Sequence, residues 1–393
     1  MGKRVLISGM GIAGPALAHW LGRAGHEVTV VERAPGPRTT GAAVDFRGDQ
    51  VALLHRMGVH GALHARRTGM GDLVVVDRAG RERARVPAAL FSGELEVERA
   101  DLAEVLAARC APVSTPVFGD RATALRQDPG GVEVEFERGP AARYDLVVGA
   151  DGQHSGVRAL AFGPEERYRH DLGHLTATYG VPNTFGLERA GVIHNAPGRY
   201  ANVSSCRDPR TATVSLVFAS TARPGRDPGA QRALITERYA DLGWRVPELL
   251  AGLASADDLY FAPITQLRLP AWSTGRVVLL GDAAWGAGPG GNGSGHALLG
   301  AYVLAGELEA SGWDVPRALA RYEAALRPAV ERSQRQAASM PGFLVPPTAA
   351  RIALRNASYR VLGSKPMTAL FERLSARTAN TGALPEYPLP VTA

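Results

Sequence analysis

Cysteine is nearly absent: Cys110 and Cys206 are the two in 393 residues. Two thiols cannot build a disulfide framework, and they stand in no metal-ligand spacing, so a stapled secreted scaffold is excluded and both are expected as buried or half-buried free thiols. Lysine is almost missing as well. Lys3 and Lys365 are the only two, and the rest of the 44 basic residues are arginines scattered along the chain. The formal net charge of +6 and the pI of 9.6 raise a nucleic-acid partner, yet no basic cluster exists to bind a phosphate backbone, so none is expected. No run approaches the roughly 20 apolar residues of a membrane-spanning helix. The amino terminus begins basic and apolar, but Gly9, Gly11, Gly14 and Pro15 interrupt it and no small-residue cleavage site follows, so a cytoplasmic location is expected.

What remains is a folded globular composition, 45 % apolar and 21 % charged. The length exceeds what one hydrophobic core usually holds, which predicts two domains. Arg4–Ser8 is a short apolar run that reads as a buried parallel strand, and 15–24 has helix-forming content ended by Gly25. The β-branched run 26–31 then finishes at Glu32 and Arg33. This is a β-turn-α-β unit with a right-handed crossover. Helices are predicted over 49–57, 98–108, 297–310, 315–340 and 348–379. Residues 73–77 begin a hairpin that leaves the first sheet. Buried strands are predicted over 144–149 and 275–282. From about 170 to 262 alternating strands such as 212–218 predict an antiparallel sheet, whose mostly apolar face is expected to roof a pocket. The tail 384–390 reads as extended.

Between the first strand and helix stands Gly9-x-Gly11-x-x-Gly14. The first glycine permits the tight turn, the second lets a pyrophosphate approach the backbone, and the third allows close helix–strand packing. Free N–H groups at the helix start then favour the anion. Glu32 lies 18 residues past Gly14, where a ribose hydroxyl needs an acceptor. A purely structural glycine turn is the alternative.

With two further segments the sequence resembles the single-component FAD-dependent monooxygenases, the aromatic-hydroxylase-like group that includes tetracycline-modifying enzymes. One segment is Val147-Val-Gly-Ala-Asp151-Gly152-Gln-His-Ser155-Gly-Val-Arg158. The other is Gly281-Asp282-Ala-Ala-Trp285, followed by Pro289, Gly291-x-Gly293-Ser294 and the stretch 300–308. The resemblance spans residues 5 to about 335. It implies an α/β fold: a discontinuous Rossmann-like FAD-binding domain (1–69, 96–168 and 263–345), an inserted antiparallel-sheet substrate domain (70–95 and 169–262), and a C-terminal helical segment and tail (346–393). It implies FAD held by Gly9, Gly11, Ala13, Gly14, Glu32, Arg33, Arg99, Asp282, Gly291, Gly293 and Ser294. Asp282 reads either as an acceptor for ribityl hydroxyls or as a helix N-cap. Asp45 and Arg47, in a segment from Gly41 to Gly48 similar to one beside the flavin ring, are the candidate catalytic residues; a structural loop carboxylate is the other reading of Asp45.

The implied reaction consumes NAD(P)H as a transient co-substrate, with no second nucleotide fingerprint, and O₂. It oxygenates a bulky apolar or aromatic small molecule, such as a polyketide-like natural product, through a flavin C4a-hydroperoxide. The chain departs from the family pattern at Trp285, in Gly286-Ala-Gly288 with its shortened loop, and at His296 and Ala297. These departures motivate an alternative: a flavoprotein oxidase or dehydrogenase, or a redox-neutral FAD-containing cyclase. His170 and His174 lack a third metal ligand, and Ser294 and His296 lack the elbow and acid of a hydrolase triad, so no metal site and no triad is expected. Trp272 and Trp285 are expected in the core or on the pocket wall.

Overall fold

The computed structural model describes residues 2–36, 43–88, 91–288, 290–362 and 384–390. Gly41, Pro289 and the last predicted helix beyond Leu362 lie outside them. The apolar run Arg4–Ser8 forms β1, fully buried from Val5 to Ile7. It is followed by α1 (Ala13–Arg23) and β2 (Glu27–Glu32). β1 sits between β2 and β11 (Leu146–Gly149), and β11 pairs with β18 (Val277–Leu279), all in parallel. β7 (Thr115–Phe118) flanks β2, and β17 (Ser273–Thr274) closes the other edge antiparallel, giving the order β17-β18-β11-β1-β2-β7. Both faces of a parallel sheet must be covered, which is why β11 and β18 read as unbroken Val/Leu runs rather than alternating ones. α1 and α9 (Gly293–Ala310) pack against each other in the core of this layer, and α10 (Val315–Leu344) packs on α9.

A second, seven-stranded sheet is ordered β16-β12-β15-β14-β13-β4-β5. It joins the hairpin β4 (Leu73–Val76) and β5 (Glu82–Val86) to β12 (Arg169–Pro182), β13 (Ala190–Ala196), β14 (Arg199–Ser205), β15 (Thr211–Ala219) and β16 (Tyr260–Leu267). The last strand thus runs five residues past the expected limit of 262. Its pairings are antiparallel except β4 with β13. A short ribbon, β3 (Ala43–Phe46) against β6 (Leu95–Glu98), lies between the sheets in sequence and precedes α4 (Arg99–Cys110). A three-stranded sheet of β8 (Ala122–Asp128), β9 (Gly131–Phe136) and β10 (Ala142–Tyr144) stands beside them.

Three expectations need correcting. The helix expected from Ala297 starts at Gly293, because Asn292 adopts the left-handed conformation (φ 52°) that asparagine tolerates and so turns the chain into the helix. The region 170–262 holds two helices, α6 (Pro228–Tyr239) and α7 (Val246–Ser255), the first capped by Asp227, whose carboxylate accepts from the N–H groups of Gly229 and Ala230. Those helices cover the apolar face of the large sheet: Ala212, Val214, Leu216 and Phe218 are buried with Ile235, Tyr239, Leu249 and Leu253. The apolar face is therefore core and roofs nothing. The opposite face carries Thr213, Ser215 and Val217. Trp272 and Trp285 also belong to the core, with ring centroids 4.6 Å apart, and both rings sit near Tyr322.

Candidate FAD site

The β1–α1 turn opens into a crevice at the carboxyl edge of the parallel sheet, where a doubly wound fold binds its ligand. Its walls are formed by Gly9, Gly11, Ile12 and Ala13, by Glu32, Arg33 and Arg99, and by Asp151, Gly152, Asp282, Gly293 and Ser294. Nine of the eleven residues expected to bind FAD thus line one cavity.

The three glycines differ in role. At Gly9 (φ +113°) a Cβ would stand 2.4 Å from the Ala150 carbonyl oxygen, and at Gly14 it would stand 1.9 Å from the Gly9 carbonyl oxygen. Gly14 lies behind the crevice wall and lets α1 approach β1. At Gly11 a Cβ would meet nothing within 4 Å, so its missing side chain leaves space in the crevice and answers no packing need.

The charged groups are arranged around that space. Glu32 Oε2 accepts from the Met10 N–H and Oε1 from the Ala34 N–H, both at 2.9 Å. The carboxylate is thereby fixed, with a lone pair on each oxygen left over. Among the described residues no hydrogen bond or ion pair occupies the guanidinium of Arg33 or of Arg99. Asp282 is the first residue of α8 (Asp282–Trp285), and the N-cap is Gly281, so the capping reading of Asp282 fails. Its Oδ1 instead faces the start of α9, 3.4 Å from where a Cβ on Gly293 would stand.

These residues fit FAD. Two unpaired arginines and a side-chain-free turn at a helix start suit a pyrophosphate. A fixed carboxylate suits a ribose diol, and a second, uncommitted one suits the ribityl chain.

Asp151, quoted from sequence but not selected as a site residue, stands against this wall. Its carboxylate accepts from the Ser155 hydroxyl and the N–H groups of Gly156 (2.8 Å) and Val157 (3.2 Å); burial nevertheless raises its pKa above the usual carboxylate range. Arg158 joins the two motif segments. Only 1 % exposed, it donates to the carbonyls of Ala283 (3.0 Å) and Gln153 (2.6 Å) and pairs with Glu165 (3.0 Å). Arg121, Ala122 and Ala103 also line the crevice and carried no sequence signal; His154, inside the quoted Asp151–Arg158 segment, lines it too. Gly291 lies off the wall, its carbonyl accepting from Ser333.

Asp45 and Arg47 stand apart from the crevice, on the β3–β6 ribbon. Arg47 Nε donates to Asp45 (3.0 Å), and its Nη2 donates to the Ser92 carbonyl (3.0 Å). Asp45 faces Glu96 across the ribbon; burial first, and the Asp45 charge in addition, push the Glu96 carboxyl up against hydrogen bonds from Thr68 and Ser92. The loop before β15 ties the large sheet to the start of α4, where Arg207 pairs with Asp101 at 3.2 Å, two residues from Arg99.

The sequence profile of the FAD binding domain family matches residues 3–337. The chain belongs to the FAD-dependent monooxygenases. It is 34 % identical to a flavin-dependent monooxygenase of an unknown prokaryotic organism, over 84 % of this chain and 88 % of that protein. It is 31 % identical to the FAD-dependent monooxygenase asL6 of Sarocladium schorii, over 99 % of both. The crystal structure of the tetracycline destructase Tet(51) superposes with a TM-score of 0.85 at 29 % identity, covering 98 % of this chain and 100 % of that one. This monooxygenase is thus an enzyme, and FAD is its cofactor. Among its described residues no helix is long and apolar enough to cross a membrane.

Proposed function

We propose that this monooxygenase couples oxidation of NAD(P)H to insertion of one oxygen atom into a bulky, ring-containing small molecule: RH + O₂ + NAD(P)H + H⁺ gives ROH + H₂O + NAD(P)⁺. The observation that carries the reading is the crevice itself, in which the Gly11 turn, Glu32, Arg33, Arg99 and Asp282 converge. FAD bound there supplies the redox chemistry, accepting hydride equivalents and handing electrons to oxygen.

The protein's part is binding, orientation and exclusion of water. Gly9, Gly11 and Ala13 cradle the pyrophosphate, with Arg33 and Arg99 balancing its charge. Glu32 takes the ribose hydroxyls and Asp282 the ribityl hydroxyls. Gly293 and Ser294 at the start of α9 present backbone N–H groups and helix-dipole charge to the ring end of the cofactor. Asp45 and Arg47, paired with each other on the β3–β6 side, are assigned the orientation of the substrate. The low dielectric of Trp285, Leu267 and Ile264 around the 286–288 loop limits water.

The test is turnover under ¹⁸O₂. The expected result is one labelled oxygen in the product, with NAD(P)H consumed in proportion and H₂O₂ appearing when a poor substrate uncouples the reaction. Product formed at full rate without O₂ or reduced nicotinamide would refute the reading and favour a redox-neutral flavoprotein.

A further inference from the structure

The glycine-rich loop between α8 and α9 is held from behind by side chains that do not themselves line the crevice. Gln334 on α10 is buried, and its amide gives both hydrogens to backbone carbonyls, those of Leu267 and Trp285, each at 2.8 Å. Gln266 at the end of β16 is wholly buried and donates to the carbonyls of Ala287 (3.0 Å) and of Gln334 itself (2.7 Å). Its oxygen accepts from Arg268 (2.8 Å), which fixes the orientation of the amide. Ser333, also buried, donates its hydroxyl to the Gly291 carbonyl. Two backbone bonds complete the set: Leu267 N–H to the Gly286 carbonyl (3.0 Å) and Gly291 N–H to the Gly288 carbonyl (3.1 Å).

The carbonyls of 285, 286, 287, 288 and 291 are thus all committed. The same stripe of α10 presses on the loop sterically. A Cβ on Gly290 would stand 2.9 Å from the Met340 side chain, and one on Gly291 would stand 3.1 Å from the Cβ of Ala337. Residues 333, 334, 337 and 340 share one helical face, so α10 acts as a mould for the loop.

The direction of these bonds matters more than their number. In a planar trans peptide the N–H points opposite to the carbonyl before it. Tying the Gly291 carbonyl to Ser333 turns the Asn292 N–H away from α10, and tying the Ala287 carbonyl to Gln266 does the same for the Gly288 N–H. Among the described residues no backbone carbonyl accepts from either. The next N–H groups, at the start of α9, have no intrahelical acceptor, and Gly293 and Ser294 line the crevice.

We infer that Gln334 and Ser333 are positioning residues for the cofactor: they hold the loop carbonyls back, so that the α9 end of the crevice offers donors without competing acceptors and favours the two-electron reduced, more negative form of FAD. This rests on the monooxygenase reading above, which places the ring end of the cofactor there. Without the Gln334 amide or the Ser333 hydroxyl, the Trp285 or Gly291 carbonyl is free to turn, and its partial negative charge opposes reduction.

The test equilibrates the FAD-loaded full chain, without substrate, against a reference redox dye at the point where wild-type flavin is half reduced. The ratio of oxidised to reduced flavin is expected to rise about tenfold in Gln334→Met, which keeps the length and loses both donors, and about threefold in Ser333→Ala. Ser333→Thr, which keeps the hydroxyl, is expected to behave as wild type. In the FAD-free proteins, amide hydrogen exchange over 286–293 is expected to quicken about tenfold in Gln334→Met and to stay at the wild-type rate in Ser333→Thr. An unchanged ratio in flavin-loaded Gln334→Met overturns the inference, since a merely structural role moves melting alone; if that variant does not fold, an unchanged ratio in Ser333→Ala overturns it. Equal shifts in Ser333→Ala and Ser333→Thr also overturn it, as does a shifted ratio with unaltered loop exchange. Absence of O₂-coupled NAD(P)H oxidation in the wild type would sink the monooxygenase reading, and the dye equilibrium, which needs neither, registers that failure separately.

Discussion

Replacing Gly11 by valine separates cofactor binding from folding more sharply than any other change in the crevice. A Cβ at this position has no neighbour within 4 Å, and its backbone is not in the left-handed region. The apoprotein should therefore fold with its stability changed by less than about 1 kcal/mol, the small term being the reduced freedom of the unfolded chain. The same crevice space is where the cofactor's pyrophosphate must approach the α1 N–H groups. Displacing it by a side chain loses one or two charge-assisted hydrogen bonds at about 1.5–3 kcal/mol each, so FAD affinity should fall by roughly 10-fold for the weakest single bond to roughly 10,000-fold for two strong ones. Gly14→Ala is the contrasting variant: its Cβ would meet the Gly9 carbonyl oxygen at 1.9 Å, and the apoprotein itself should be destabilised by several kcal/mol. The assay is denaturant melting of apoprotein beside a flavin-fluorescence titration. Full flavin retention by a folded Gly11→Val protein would refute the placement of the pyrophosphate. Loss of apoprotein stability in that variant would refute the claim that the glycine serves the ligand alone.

Three further outcomes are expected. Asp282→Ala should weaken FAD by about 1–3 kcal/mol through loss of a ribityl acceptor, with apoprotein melting unchanged, as read by the same titration. Arg158→Met should cost about 3–5 kcal/mol in denaturant unfolding, because it strands the Ala283 and Gln153 carbonyls and the Glu165 carboxylate; a double variant with Glu165→Gln should recover part of that loss. Burial holds His296 down to about 4 from an ordinary 6.5. Between those values the unfolded chain binds more protons than the folded one, so stability is full above pH 6.5 and falls as the pH drops toward 4. The fall amounts to about 3 kcal/mol at the acid end, and urea unfolding of His296→Asn across pH 7.5 to 4.5 should lack that slope.

Much of the cofactor layer is legible in the sequence because its constraints are local. A parallel strand buried on both faces needs an unbroken apolar run, and a phosphate-binding turn needs glycine at fixed spacing; both leave signatures within a few residues. Asp151, Asp282 and the 291–294 stretch were legible only through resemblance, since a carboxylate at a strand end serves capping as readily as binding. Arg158 shows what stays hidden. Its partners at 153, 165 and 283 are set by the fold, and no spacing along the chain announces them. The start of α9 was misplaced by four residues because glycines at 293 and 295 read as loop. Asn292 supplies the turn, and the glycines are kept small for neighbours: a Cβ at Gly295 would stand 2.3 Å from the Gln50 side chain.

The large sheet carries the more instructive discrepancy. Alternation along 212–218 specifies two faces but not which of them meets the core. Sequence reasoning gave the apolar face to the substrate, on the ground that a reactive flavin site must be dry. The chain gives that face to α6 and α7, whose own apolar residues, Ile235, Tyr239, Leu249 and Leu253, require a partner of matching area. Once the helices are placed, the remaining face is fixed by the period of two, and it is lined by Thr, Ser and Asn. Dryness must then come from the edges, where Val217, Ile264, Leu344 and Val345 close one end and Ile193, Phe91 and Tyr359 the other. An apolar rim of this kind around a polar strip is what would keep bulk water from the space between the two layers.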